Sequence, residues 1–249
     1  MVTAHRGFSG KYPENTLLAF EKACELGADV VEFDVRESSD GALVIMHDDM
    51  LDRTTDGRGL VAQYRLAELK RLNASYWQGS HNNGRRTAIP VCEAGIPTLE
   101  EAFKALAGRV CLNIQVYTSR PDVLENIARL YLDYDLRDSG FLMLESFADG
   151  AVVRAFSPDV AICIGEDRPN LERHLAFGVD YLQPSTGCLT DSYLKRLIES
   201  GMPANVFFAN DPDSMLSMIE KGIPGIITDF PDVLINLIAT RGKAAGGTG

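Results

Sequence analysis

Along the chain, short runs rich in β-branched and aromatic residues alternate with stretches whose apolar positions recur every three to four residues. The runs predict strands at Val2–His5, Asp29–Val35, Val110–Val116, Phe141–Leu144, Val160–Ile164, Val179–Gln183, Ala204–Phe208 and Gly225–Thr228. The periodic stretches predict helices near 14–26, 98–107, 121–132, 148–156, 170–177, 190–200, 212–221 and 231–239. Eight strand–helix pairs at about 31 residues each predict a parallel sheet covered by helices, closed as a single α/β domain, a (β/α)8 barrel over residues 1–241. The closing GKAAGGTG, residues 242–249, reads as a disordered tail.

Local signals support the boundaries. Thr98-Leu-Glu-Glu101 is a capping box, Asp211-Pro212 sets an N-cap before a proline, and Gly27, Gly178 and Gly201 each follow a helical run. One stretch breaks the rhythm. Residues 36–97 exceed a simple turn; they hold a strand-like fragment, Ala42–His47, followed by polar, glycine-containing sequence. From about 48 to 97 this reads as an insertion between strand two and helix two, on the face where such barrels carry their chemistry.

Composition narrows the partners. The 249 residues carry 24 Lys+Arg against 35 Asp+Glu, a net charge of −11, which argues against nucleic acid as the main partner. A phosphate-bearing ligand stays open, because a few local cations or a metal set the field inside a pocket. Five scattered cysteines show no zinc or disulfide spacing. No apolar run approaches the roughly 18 residues of a membrane span, and no leader is visible, so the expected location is cytoplasmic. Oligomeric state is not legible.

The candidate chemistry begins in Val30-Val-Glu-Phe-Asp-Val35. Strand alternation puts Glu32 and Asp34 on one face, about 7 Å apart, and Val31, Phe33 and Val35 on the other. Such a pair either holds a hard divalent cation or pairs with arginines at a rim. Strand one ends in His5-Arg6-Gly7 and the Ala42–His47 fragment in His47-Asp48-Asp49, which places two of the four histidines at strand ends near those carboxylates. His81, in a polar loop, and His174, on a helix, read as structural and stay outside the site. Asp56-Gly-Arg-Gly59 lacks the setting of a nucleotide loop and reads as a turn.

The series His5-Arg-Gly, Pro13-Glu-Asn-Thr16, Ala19-Phe20, Gly27-Ala-Asp29, Glu32-x-Asp34, Asp40-Gly41, His47-Asp48 and Leu51-Asp-Arg-Thr-Thr-Asp-Gly57 closely resembles the glycerophosphodiester phosphodiesterase family. Weaker echoes continue through Ile96-Pro-Thr-Leu-Glu-Glu101, Ser146-Phe147 and Gly225-Ile-Ile-Thr-Asp-Phe-Pro231. The resemblance implies a TIM-barrel hydrolase that cleaves a phosphodiester with one divalent cation, Mg2+ or Ca2+. It makes His5 and His47 the general acid–base pair, Arg6 the phosphate-binding residue, and Glu32 and Asp34 metal ligands. Asn15 would contact the phosphate or substrate and, with Glu14, brace the site.

The third strand departs from the family pattern of a metal-binding Glu followed two residues later by a phosphate-contacting Lys. Here Cys111-Leu-Asn-Ile-Gln-Val-Tyr117 puts Gln115 and Tyr117 in those places, so one negative and one positive charge vanish together. The family's tryptophan near the end of strand seven is replaced by phenylalanine in Val206-Phe-Phe-Ala-Asn210. Gln115 remains a weak candidate ligand, Tyr117 a substrate contact, and Glu145 and Glu166, ending strands four and five, candidate replacement ligands. Three readings follow: hydrolysis of glycerophosphodiesters to an alcohol and glycerol phosphate; a related enzyme of other substrate or cyclic product, as in sphingomyelinase D-like relatives; and a non-catalytic phosphodiester- or sugar-phosphate-binding homologue.

Overall fold

The computed structural model describes residues 1–165 and 170–246, and side chains as far as Arg241. Its strands are β1 (Val2–Ala4), β2 (Val30–Glu37), β3 (Leu43–Ile45), β4 (Trp77–Gln78), β5 (Arg85–Arg86), β6 (Cys111–Val116), β7 (Gly140–Leu144), β8 (Ile162–Ile164) and β9 (Ile226–Thr228). Its helices are α1 (Leu17–Leu26), α2 (Leu66–Leu69), α3 (Leu99–Leu106), α4 (Pro121–Asp133), α5 (Phe147–Phe156), α6 (Leu171–Phe177), α7 (Asp191–Ser200), α8 (Pro212–Glu220) and α9 (Pro231–Gly246). The last helix runs past residue 241, where the sequence reading ends the barrel; residues 247–249 lie outside the described residues.

The curled parallel sheet runs β8-β7-β6-β2-β1-β9. Two expected strands, Val179–Gln183 and Ala204–Phe208, do not form as continuous ladders. They continue the sheet from β9 through single parallel bridges, Val206 to Ile226, Ser185 to Phe207 and Leu182 to Ala204, and Asp180 N and Tyr181 N donate to Ile162 O of β8. Proline is the physical reason: Pro184 and Pro203 have no N–H for the ladder, and each serves only as an acceptor, for Phe207 N and Leu182 N. Gly225 permits the close approach at this seam, since a Cβ there would stand 2.6 Å from Ala204 O and 2.3 Å from Asn205 Oδ1.

Alternation sorts the faces of β2. Its outward residues Val31, Phe33 and Val35 are fully buried under α1 and α3, with Phe33 packed 5.4 Å from Phe20 and 6.5 Å from Phe103. Glu32 and Asp34 therefore point into the barrel, each 1% exposed. The expected caps are present: Thr98 and Glu101 exchange both bonds of the capping box, and Asp211 accepts from Ser214 N.

The connection from β2 to α3 builds a subdomain of its own. β3 folds back antiparallel on β2, and Val44, Met46, Leu51, Val61, Leu69, Ala74 and Ile96 form a second, smaller core. The β4–β5 hairpin stands on it, with Arg86 Nη1 donating to the carbonyls of Asp52, Arg53 and Thr55.

Candidate active site

The ends of β1, β2 and β6 bring the predicted residues together. The register pairs Glu32 with Asn113 and Asp34 with Gln115, so the β6 side chains continue the carboxylate face. Arg6 and Asn15 both adopt left-handed backbone, φ 55° and 56°, in the turns that follow β1 and precede α1. That conformation costs a non-glycine residue of order 1 kcal/mol or more. It is held by side-chain bonds: Arg6 N donates to Glu32 Oε2 at 2.8 Å, and Asn15 Nδ2 donates to Asp34 Oδ2 at 2.7 Å.

Both predicted histidines share one arrangement. His5 Nδ1 lies 2.6 Å from Asp229 Oδ1, and His47 Nδ1 lies 2.7 Å from Asp48 Oδ1. A carboxylate at Nδ1 selects the tautomer protonated there and leaves Nε2 as the nitrogen able to accept a proton. His5 Nε2 stands 3.9 Å from Glu32 Oε2, and its ring meets Phe207 edge-on at 5.4 Å. Burial works against ionisation of Asp229, yet hydrogen bonds from His5, Ser9 and Asn210 hold its carboxyl below the usual range. Sequence reasoning missed Asp229 as a partner; the available signal was an aspartate ending the last strand segment, on the inward phase of alternation.

Arg6 is 3% exposed and surrounded by acceptors. Its Nη1 donates to Glu14 Oε1 at 2.8 Å, and its Nε lies 3.3 Å from Asp34 Oδ2. Glu14 also takes both terminal nitrogens of Arg53, which in turn forks onto Asp48. Burial alone would raise the Glu14 pKa; Arg6 and Arg53 outweigh it and hold the group at about 2. Glu14 is thus a buried brace, as the sequence reading expects, and Arg53 couples it to the His47–Asp48 pair.

Glu32 behaves differently. Burial first, then the neighbouring Asp34, pushes its carboxyl well above the ordinary range. Its Oε1 is buried without any hydrogen-bond partner. An orphaned carboxylate oxygen beside a second buried carboxylate fits a hard cation, which would satisfy the open lone pairs and the crowded negative charge together. Gln115, opposite Asp34 in the register, donates through Nε2 to Tyr117 Oη at 2.7 Å and keeps its amide oxygen as an acceptor. Another cluster, His47, Asp48 and His81, has ligand atoms within 4.8 Å of one another. It fits a cation poorly, because Asp48 is committed to Arg53 and His81 Nδ1 to Arg6, and both guanidiniums repel positive charge.

Tyr117 lies under Arg36, whose guanidinium is 4.4 Å from the ring and whose Nε donates to His47 O. Burial, with Asp34 and Glu32 adding to it, raises the phenol further above its ordinary value, so the hydroxyl stays neutral. Glu145 lines a cavity of about 530 Å³ with Gln115, Met143, Gly165, Gln183, Ser185 and Phe207. Glu166 lies outside the described residues. His174 is structural as expected, its ring nitrogens facing the carbonyls of Asn170 and Ile164. His81 is the correction. The hairpin carries it back over the barrel mouth, where its Nδ1 meets Arg6 Nη1 at 2.9 Å and its ring stands 5.0 Å from that of His47. Local polarity marks such a residue as loop; only the fold supplies its partners.

Comparison with known proteins gives a consistent answer. The family model described as "Glycerophosphoryl diester phosphodiesterase family" matches residues 5–233. A glycerophosphodiester phosphodiesterase of Caldanaerobacter subterraneus subsp. tengcongensis is 32% identical over 251 residues, 97% of this chain and 99% of that protein. One from Bacillus altitudinis is 30% identical over 248 residues, 95% of this chain and 97% of that protein. Among solved structures, a phosphodiesterase of Oleispira antarctica in complex with the product sn-glycerol-3-phosphate is similar with TM-score 0.79 and 29% identity, over 96% of each chain. The glycerophosphodiester phosphodiesterase of Thermotoga maritima matches with TM-score 0.74 and 25% identity, over 95% of this chain and 97% of its own.

Proposed function

The chain belongs to the glycerophosphoryl diester phosphodiesterase family, a family of hydrolases, and from that premise we propose that it hydrolyses glycerophosphodiesters to an alcohol and glycerol phosphate by acid–base catalysis between His5 and His47. The observation that carries the reading is the matched pair of imidazoles, each tied at Nδ1 to a carboxylate and each keeping Nε2 for proton transfer. One takes a proton from the attacking water, and the other gives a proton to the departing alkoxide, so that the P–O bond to the alcohol breaks as the bond from water to phosphorus forms. Asp229 and Asp48 hold the rings and stabilise the imidazolium that each forms in turn. Arg6 anchors the phosphate through its fixed guanidinium, kept charged by Glu14, Asp34 and Glu32.

Glu32 and Asp34, with the Gln115 amide oxygen, would hold one divalent cation, Mg2+ or Ca2+, which would supply Lewis-acid polarisation of the phosphoryl group when bound. Gln115 brings no charge to that set, so the affinity for the ion is lower than three carboxylates would give. Tyr117 offers a neutral donor where the resemblance implies a lysine. The small-molecule substrate enters the cavity bordered by Gln115 and Phe207, the latter in contact with His5.

The test is turnover of glycerophosphocholine by the His5→Ala and His47→Ala variants with a divalent cation present. Each substitution lowers kcat by at least about a hundredfold, the usual lower bound for acid–base catalysis. Undiminished kcat in His47→Ala overturns the assignment.

A further inference from the structure

The guanidinium of Arg6 is oriented by a residue from outside the barrel. Nη1 has two protons and two acceptors, Glu14 Oε1 at 2.8 Å and His81 Nδ1 at 2.9 Å. With Nη1 saturated, the plane of the group is fixed. The edge that remains is Nη2, which takes part in none of the hydrogen bonds among the described residues, together with Nε, which lacks an aligned partner. An imidazole Nδ1 facing a guanidinium N–H is unprotonated, so the ring proton sits on Nε2, beside His47.

The chemistry of the acceptor matters. Arg6 already faces Glu14, Asp34 and Glu32, and one more carboxylate would add further repulsion against an incoming phosphate. A neutral imidazole takes the second Nη1 proton without that cost. The loop that delivers it is braced on both sides. Trp77 Nε1 donates to Ser80 O, Gly84 N donates to the same oxygen at 2.7 Å, and Arg53 stacks 5.1 Å from the Trp77 ring. A Cβ at Gly84 would stand 2.4 Å from Trp77 Nε1, so the turn closes this tightly only with glycine.

We propose that His81 is a positioning residue for phosphate binding: its Nδ1 acceptor, shared with Glu14, turns the Nη2 edge of Arg6 toward the phosphodiester. The inference rests on the reading of Arg6 as the phosphate anchor. It also gives the long β2–α3 connection a part in the reaction, since the connection supplies His47 and Asp48 and the Arg53 and His81 that hold the anchor's surroundings.

The experiment compares His81→Phe, His81→Gln and His81→Asn for KM and kcat on glycerophosphocholine, and for the Kd of inorganic phosphate by calorimetry, with Tm recorded for each. Phe removes the acceptor and Gln carries its amide to the Nε2 position, so both raise KM and the phosphate Kd about tenfold, with kcat changing less. Asn presents its oxygen near the Nδ1 position and recovers affinity to within about threefold of the parent. The Gln variant keeps the comparison intact should the Phe variant fold poorly. Equal phosphate Kd in parent and His81→Gln, or equal weakening by Asn and Gln, overturns the proposal. Arg6→Lys serves as the reference: if it too leaves the phosphate Kd unchanged, the anchor reading itself fails, whereas a loss with Arg6→Lys alone confines the failure to His81.

Discussion

Glu14 accepts from Arg6 and Arg53 together, and its low pKa makes it a source of acid sensitivity. A carboxyl moved from the ordinary 4.5 to about 2 stabilises the fold fully above 4.5, and that stabilisation is lost as the pH falls toward 2. The shift corresponds to about 3 kcal/mol. Urea unfolding of the parent between pH 4.5 and pH 2 should therefore fall by about 3 kcal/mol more than that of Glu14→Gln, which has no such proton to bind. At pH 7 the variant should be less stable by roughly 3 kcal/mol, since the buried Arg6 and half-buried Arg53 guanidiniums lose their shared counter-charge. Parallel pH profiles for the two proteins contradict this reading. The sequence showed Glu14 beside Asn15 in a recognisable motif, but not Arg53 closing the circuit 39 residues away, nor His5 meeting Asp229 across 224 residues. Those partners come from tertiary closure, which no local pattern encodes.

At the scale of elements, alternation did most of the work that sequence can do. The phase of β2 separates Glu32 and Asp34 from Val31, Phe33 and Val35, and a slip of one residue would bury the wrong set. The same phase carries to β6, where Asp34 sits opposite Gln115. Restoring the charge there with Gln115→Glu should tighten Mg2+ or Ca2+ binding about tenfold or more, measured by titration calorimetry on the metal-free protein. An unchanged affinity removes Gln115 from the ion's surroundings. The segments around Pro184 and Pro203 were harder to read, because the apolar run signals a strand while the missing N–H groups limit it to isolated bridges. The hairpin β4–β5 was illegible for another reason. Its strands are two residues each, and their place is set by Arg86 and Trp77 contacts rather than by periodicity.

For the whole molecule, the net charge of −11 says little about the mouth of the barrel. There Arg6 meets Asp34, Arg53 meets Glu14, Arg36 covers Tyr117, and the rings of His5, His47 and His81 stand among them, so local placement decides the sign that a phosphodiester meets. The main core packs against the curled sheet, and the smaller core under the β2–α3 connection carries His47 and His81 to Arg6, the residue that follows His5. The most direct measurement is 31P NMR of glycerophosphocholine incubated with the parent protein, first stripped of metal by a chelator and then resupplied with Mg2+ or Ca2+. No conversion is expected in the stripped protein and, on resupply, a single product signal of glycerol phosphate. Full conversion without a divalent cation, or accumulation of a cyclic phosphate in place of glycerol phosphate, would contradict that expectation.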